Sequence, residues 1–366
     1  MLKFFLAAVF CTFSIFTRVY SQSTKEDPRY TYAAGLNAFS GFVVKHDRYM
    51  GHLSPGVTRG VELQINKSTY GHQAWEQVFR YPDVGFSLSY YDYGSEKLGV
   101  SVGGLLFVDF FVFRTPKLEG LLRMGTGLGY HTNPYDRETN NQNVAVGSTF
   151  TQSMQMRGGI NYKLTDNWKI TLAATISHFS VAAFTQPNKG INIVSANFGC
   201  IYRITDQEVE TFPLQEHYQF DRKLKFNVNF SYGLKEIPPI GGPKYSVWVL
   251  SFYVNKQVSK TNILNLGMEA FDNAALKEEM NQANIESGSI DHKRIGFTVG
   301  HELKLYRISL MTQLGLYAYR PYKTDKPIYQ RLALKFYAGE NVYLQYGFVT
   351  HYAKADHGEL GIGFSF

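Results

Sequence analysis

Between Trp168 and Tyr202 the chain alternates apolar and polar residues in two runs, a period of two that only extended strands with one apolar face can use. Ile170, Leu172, Ala174 and Ile176 share one face of the first run, and Lys169, Thr171, Ala173, Thr175 and Ser177 take the other. Ten steps at about 3.3 Å, tilted roughly 40°, rise about 25 Å, the height of the apolar band of a transmembrane β-barrel. Trp168 then sits at one interface and His178 at the other. The returning run puts Asn192, Val194, Ala196, Phe198, Cys200 and Tyr202 on one face, and Ser195, Asn197 and Arg203 on the opposite one. Continuing the count places His178, Ser180 and Asn192 on the apolar side, so a hydroxyl and an imidazole meet at the rim of a hydrocarbon surface.

The first 21 residues carry a basic start at Lys3, an apolar run from Phe4 to Phe16 and small or neutral residues before Gln22, the pattern of a secretory signal. Removing it takes away Cys11 and leaves Cys200 as the only cysteine, which excludes an intrachain disulfide and a cysteine metal cluster. Beyond that segment no run of about 18 apolar residues exists, so a spanning helix is not expected. A mean hydropathy of −0.22 would suit a soluble protein, and alternation alone would also suit a secreted β-sandwich. Two features decide for the membrane. The 26 Tyr and 28 Phe, with 33 Gly, fit strands that end in aromatic girdles. At the C-terminus Leu360, Ile362, Phe364 and Phe366 alternate with Gly361, Gly363 and Ser365, and a last strand ending in Phe resembles the terminal signature of bacterial outer-membrane proteins. The formal charge of +7 includes Lys3 and Arg18 of the leader, and the basic residues are scattered, so nucleic acid is not implied.

Strand-like segments run near 31–46, 58–69, 83–94, 98–113, 118–132, 149–165, 168–180 and 191–204, then near 224–234, 245–259, 262–272, 293–305, 309–320, 328–338, 342–352 and 357–366. The fold class is therefore all-β, an outer-membrane antiparallel barrel of about 16 strands, with 14 or 12 as alternatives, occupying residues 22–366. Short connections such as Leu164–Asn167 and Tyr306–Arg307 contrast with long polar ones such as Asn133–Ser148, Val181–Ile191 and Asp272–His292. The charged stretch Thr205–Lys223 separates a half carrying the site, 22–204, from added strands over 205–366, and reads as a periplasmic flap or a domain boundary.

His178-Phe179-Ser180 puts a base beside a hydroxyl on one strand face, which is what a serine nucleophile needs, together with a third group to hold the tautomer of the histidine. Alone, this spacing is a weak signal. The longer run through Thr185-Gln186-Pro187-Asn188-Lys189-Gly190-Ile191-Asn192 resembles the outer-membrane acyloxyacyl hydrolase, or lipid A 3-O-deacylase, family in its longer Bacteroidota form. So do Tyr81-Pro82-Asp83-Val84-Gly85-Phe86-Ser87-Leu88-Ser89-Tyr90-Tyr91-Asp92-Tyr93-Gly94 and Arg123-Met124-Gly125-Thr126-Gly127-Leu128-Gly129-Tyr130, and the resemblance spans roughly residues 30–205. It implies a barrel whose site opens sideways to the outer leaflet and hydrolyses an ester-linked acyl chain of lipopolysaccharide. Carried over by position, Ser180 would be the nucleophile, His178 the general base, Asn192 the third member and Asn188 an oxyanion donor. Two positions depart from the best-studied members. Val181 follows the serine where Asn is usual, leaving only its backbone N–H as a donor, and Asn192 stands where those members have Glu.

This reading calls for no cofactor and no metal, with lipid A or another outer-leaflet lipid as the partner; whether barrels pair as homodimers is left open. The alternative is a barrel without catalysis, acting as a pore or a surface scaffold. Other motifs carry less. Gly125-Thr126-Gly127-Leu128-Gly129 lies within a strand and opens no helix, so it is expected to allow close packing rather than to hold a nucleotide. His46, His52, His72 and His131 read as loop or rim residues without zinc-site spacing. Asp136 and Glu138 in a polar loop could bind calcium but read better as solvated.

Overall fold

The computed structural model describes residues 31–53, 56–205, 220–285, 290–352 and 354–366. The predicted secretory signal lies outside the described residues. Among the described residues there are sixteen strands. The first eight are β1 (Tyr32–Val43), β2 (Thr58–Ser68), β3 (Asp83–Asp92), β4 (Val100–Arg114), β5 (Leu118–His131), β6 (Phe150–Lys163), β7 (Trp168–Ser180) and β8 (Ile191–Arg203). The second eight are β9 (Leu224–Glu236), β10 (Lys244–Gln257), β11 (Asn262–Asn273), β12 (Arg294–Leu305), β13 (Ile308–Tyr319), β14 (Ile328–Tyr337), β15 (Val342–His351) and β16 (Lys354–Ser365). All neighbours are antiparallel.

The sixteen strands close as two cylinders of eight, not as one cylinder of sixteen. β8 returns to β1, from Ala33 opposite Arg203 to Val43 opposite Ile193. β16 returns to β9, from Gly358 opposite Leu234 to Ser365 opposite Asn227. Alternation fixes which way each side chain points but says nothing about which partner the eighth strand takes, so the closure is invisible in the pattern.

Each barrel is apolar outside, and inside it combines a charged layer with an apolar cluster, which in the first barrel includes Phe39, Tyr91, Phe179 and Ile193. An eight-stranded barrel has an interior just wide enough for its side chains to fill, and here paired charges occupy part of it. In the first barrel Glu62 meets Arg157 at 2.8 Å and Arg123 at 3.4 Å, and Arg123 meets Asp109 at 2.6 Å. In the second, Arg331 is bonded to Glu269 and lies 2.8 Å from Glu359, while Lys335 lies 2.7 Å from Glu302. All of these groups are buried, and such charges are stable only because each has a partner. The outward face carries Leu63, Leu172, Phe198, Leu266 and Phe297, all well exposed and suited to lipid. Trp168 and Tyr202 pair across β7 and β8 with ring centroids 4.9 Å apart, forming part of the inner girdle.

Connections after odd-numbered strands emerge at one end and include the long loops 44–57, 132–149, 181–190 and 274–293. At the other end 115–117, 164–167, 258–261, 306–307 and 338–341 are short, with 69–82 between β2 and β3 a long exception. Long loops mark the extracellular end of such barrels. Two helices not anticipated from the periodicity occupy connections: α1 (Ala74–Val78) between β2 and β3, and α2 (Ala274–Gln282) after β11, the latter capped by Asn273 accepting from the Ala275 N–H.

Candidate active site

β7 and β8 are adjacent, and their register sets Asn192 directly opposite His178. The odd-numbered residues of β7 from Thr171 to Phe179 point inward and are buried, whereas His178 and Ser180 lie on the outward face with Leu172 and Ile176. The predicted register therefore holds. Phe179, between the two polar residues, points inward and is fully buried; its ring meets Tyr91 edge-on at 5.3 Å and His131 at 5.2 Å. The glycine run of β5 makes room for it, since a Cβ at Gly129 would stand 2.5 Å from the Phe179 ring. Phe179 thus anchors the segment that presents both polar groups outward. Phe179→Ala is expected to lower the unfolding free energy by about 3–5 kcal/mol through cavity formation, measured by urea titration in detergent micelles. A loss under about 1 kcal/mol would show that the anchor is not needed.

His178 Nδ1 donates to Asn192 Oδ1 at 2.6 Å. A carbonyl oxygen only accepts, so Nδ1 carries the proton and Nε2 of the neutral ring is left as the basic nitrogen. The amide is oriented in turn, because Asn192 Nδ2 lies 3.1 Å from His46 Nδ1 and His46 Nε2 lies 2.9 Å from the Lys189 carbonyl oxygen. With the His46 proton on Nε2, the chain runs from His178 through Asn192 and His46 to the backbone with every donor matched to an acceptor. His46 is thus more than a rim histidine. Nothing in the sequence marks it, since the contact spans 146 positions.

Ser180 Oγ accepts from Asn188 Nδ2 at 2.8 Å and from the Ala182 N–H at 3.1 Å. Asn188 also donates to the Ala182 carbonyl. The Val181 N–H, named from the resemblance as an oxyanion donor, is turned toward Asn188 Oδ1 at 3.5 Å; the backbone donor at the hydroxyl is that of Ala182. Ala182 reaches this position with φ +54°, a left-handed conformation uncommon for a side-chain-bearing residue. Gly190 closes the loop with φ +77°, and a Cβ there would stand 3.0 Å from His178 Cε1 and 3.7 Å from Ser180 Cβ. The histidine ring and the serine side chain therefore flank one point that only glycine leaves free.

The loop's second half is held by its own barrel, where the Lys189 and Gly190 N–H groups donate to the Val144 and Ala145 carbonyls at 3.0 and 2.9 Å. Lys189 also meets Asp47 at 2.8 Å, and this contact holds the partly buried Asp47 carboxyl below its ordinary range. Asn188, Asn192, His178 and Ser180 are thus gathered at the extracellular end, facing outward. Among the described residues no hydrogen bond joins His178 to Ser180: Nδ1 is engaged by Asn192, and Oγ by Asn188 and Ala182. The two side chains share one strand face two positions apart, so transfer of the hydroxyl proton to the imidazole requires them to close to hydrogen-bonding distance, while the N–H groups at Oγ can serve a developing negative charge.

The remaining candidates have other occupations. His131 is buried in the lumen, 2.6 Å from Ser101 Oγ and 2.9 Å from Thr151 Oγ1, rather than at the rim. Asp136 Oδ1 accepts from the Glu138 and Thr139 N–H groups and from Thr139 Oγ1, so it caps a turn, and the Thr139 N–H holds its pKa below the usual range. In the second barrel Asp325, His351 and Asp356 converge within 4.8 Å, but Lys235 already neutralises Asp356 at 2.6 Å.

Comparison with known proteins gives two family matches. Residues 59–200 match the family described as lipid A 3-O-deacylase (PagL), and residues 224–366 match the C-terminal domain of acyloxyacyl hydrolase. Among solved structures, the outer membrane enzyme PagL is similar at 16% identity over 45% of this chain and 97% of that one, with a TM-score of 0.31. Neisserial surface protein A is similar at 10% identity over 48% and 97%, also with a TM-score of 0.31. The Acinetobacter baumannii outer membrane protein Omp33 is similar at 9% identity over 92% and 99%, with a TM-score of 0.18. No curated protein matches.

Proposed function

Because this chain belongs to the outer-membrane acyloxyacyl hydrolase family of lipid A 3-O-deacylases, we propose that it is a serine esterase that removes an ester-linked acyl chain from lipid A of lipopolysaccharide. The observation that carries this reading is a single cluster on the lipid-facing side of β7 and β8, in which His178 is oriented by Asn192 and the Ser180 hydroxyl is met by Asn188. The outer leaflet supplies an acyl chain against Leu172 and Ile176, while the sugar headgroup stays at the loops.

In this mechanism Ser180 Oγ attacks the ester carbonyl carbon and its proton passes to His178 Nε2. The oxyanion takes the N–H groups that now face the hydroxyl, those of Asn188 Nδ2 and Ala182. Collapse expels the sugar hydroxyl, which takes the proton back from His178, and leaves an acyl-enzyme. Water then attacks the acyl-enzyme with His178 again as base, releasing the fatty acid. Asn192 accepts from Nδ1 throughout and stabilises the imidazolium less than a carboxylate would. The alternative of a passive pore is disfavoured by interiors occupied by paired charges and packed apolar side chains.

Incubating the purified protein in mixed micelles with lipopolysaccharide should release 3-hydroxy fatty acid and lower the lipid A mass by one acyl group in mass spectrometry. Intact lipid A after prolonged incubation would reject the reading. Asn188→Leu should lower kcat by about 10²–10³-fold, the usual effect of losing one oxyanion donor, with KM little changed.

A further inference from the structure

The second barrel touches the loop that follows Ser180. At the end of β9 the Glu236 N–H donates to the Ala183 carbonyl at 2.8 Å. Lys244, opposite Glu236 in the β9–β10 ladder, donates through Nζ to the Phe184 carbonyl at 2.6 Å and to Thr185 Oγ1 at 3.2 Å, and its ammonium stands 4.4 Å from the Phe184 ring centroid. The same ammonium lies 3.1 Å from Glu236 Oε2, and Glu236 Oε1 accepts from the Gly241 N–H at 2.8 Å. Glu236 is buried, so the lysine is held by a carboxylate that cannot relax into solvent. Its hairpin is braced further by Gln282 of α2, which donates to the Pro238 carbonyl at 3.2 Å.

These contacts fall on Ala183, Phe184 and Thr185, the stretch between Ser180 and Asn188. One residue earlier, Ala182 sends its N–H to Ser180 Oγ while held in a left-handed conformation. Nothing in its own side chain favours that conformation, so it persists only where surrounding contacts hold it, and the contacts at the next two carbonyls come from the second barrel. The first barrel and the loop itself hold the Ala182 carbonyl through Asn188, the Val181 carbonyl through the Phe184 N–H, and the Lys189 and Gly190 N–H groups, whereas the hydrogen bonds to the Ala183 and Phe184 carbonyls come from the second barrel.

We propose that the second barrel is a positioning element for the active site, in which Lys244 and Glu236 clamp the 183–185 backbone so that the Ala182 N–H and Asn188 stay aimed at Ser180. The clamp itself stands on geometry alone; its catalytic consequence rests on the deacylase reading above. It gives residues 224–366 a task that a lone eight-stranded barrel would have to accomplish with its own loops. Lys244 and Glu236 act through the loop and touch no reacting atom.

The test uses the full chain in a lipid bilayer with lipopolysaccharide as substrate, comparing the parent, Lys244→Met and Lys244→Arg. Amide hydrogen exchange over 181–190 should quicken about 10-fold or more in Lys244→Met, as expected when a local restraint on opening is removed, with the β7, β8, β9 and β10 strand peptides unchanged. In the same variant kcat should fall about 10-fold with KM within about twofold, the mark of a group that shapes the transition-state site rather than substrate binding. Lys244→Arg, which keeps charge and donors, should recover both readouts. Loop exchange and kcat equal in all three proteins would overturn the clamp and leave the deacylase reading intact. A loosened loop in Lys244→Met, with no fatty acid released even by the parent, would remove the deacylase reading and leave the clamp. Should Lys244→Met disturb the strand peptides, Lys244→Leu, which fills the space of the stem but carries no donor for the Phe184 carbonyl or Thr185 Oγ1, replaces it, and an unchanged loop exchange there would equally overturn the clamp.

Discussion

Ser180→Ala is expected to abolish release of 3-hydroxy fatty acid from purified lipopolysaccharide, lowering the rate by roughly 10⁴-fold or more, as removal of a serine nucleophile does in other hydrolases. The substitution deletes only Oγ. It leaves the inward anchor Phe179 in place and creates no buried cavity, because Ser180 is only partly buried on the outward face. What it removes is the acceptor of the Asn188 and Ala182 donors, which become free to bind water or a substrate carbonyl. Lipopolysaccharide binding should therefore persist while turnover disappears. His178→Ala should cost nearly as much, and the double variant scarcely more, since a nucleophile and its base act as one unit. Fatty-acid release by Ser180→Ala at the parent's rate would reject the assignment of the nucleophile, whatever the fate of the fold.

Much of this site was legible because it depends on a period of two. His178 and Ser180 are two positions apart, and counting outward from Leu172 and Ile176 places both on the lipid side without knowledge of any neighbour. Asn192 follows from the same count on the returning strand, since strands consecutive in the chain pair as neighbours in such barrels. All sixteen strands were visible for that reason. What the pattern does not encode is which distant segments meet. Closure of β8 on β1, the approach of His46 to Asn192 and the seat of Phe184 beneath Lys244 each join residues far apart in the chain, and none leaves a periodic trace. The Ala182 N–H was missed for a different reason. Its aim depends on a left-handed φ, and alanine gives no warning of one, whereas Gly190 announces its own.

The second large effect concerns Asn192, where an amide stands in place of a carboxylate. Asn192→Leu should lower kcat about 10³–10⁴-fold, comparable to loss of the correct histidine tautomer in a serine protease, because His178 Nδ1–H would face a methyl group and the ring would gain by turning its proton elsewhere. Asn192→Asp separates the two things that Asn192 does. The Oδ atom that accepts from His178 at 2.6 Å is retained, and the new charge would stabilise the imidazolium formed during attack. The Nδ2–H offered to His46 is lost, yet His46 can adapt. Its Nδ1 already lies 3.1 Å from the Val44 carbonyl oxygen as well as from Asn192, so a proton moved onto that nitrogen would find two acceptors, one of them the new carboxylate. Activity in Asn192→Asp should therefore match or exceed that of the parent. His46→Phe in the parent should cost only several-fold, since it removes the support of the amide and not the acceptor itself. The ordering Asp at or above Asn, with Leu far below, is checked by kcat on lipopolysaccharide for the three proteins. Equal rates for Leu and Asn at this position would show that His178 keeps its tautomer without Asn192, and the triad would reduce to a dyad.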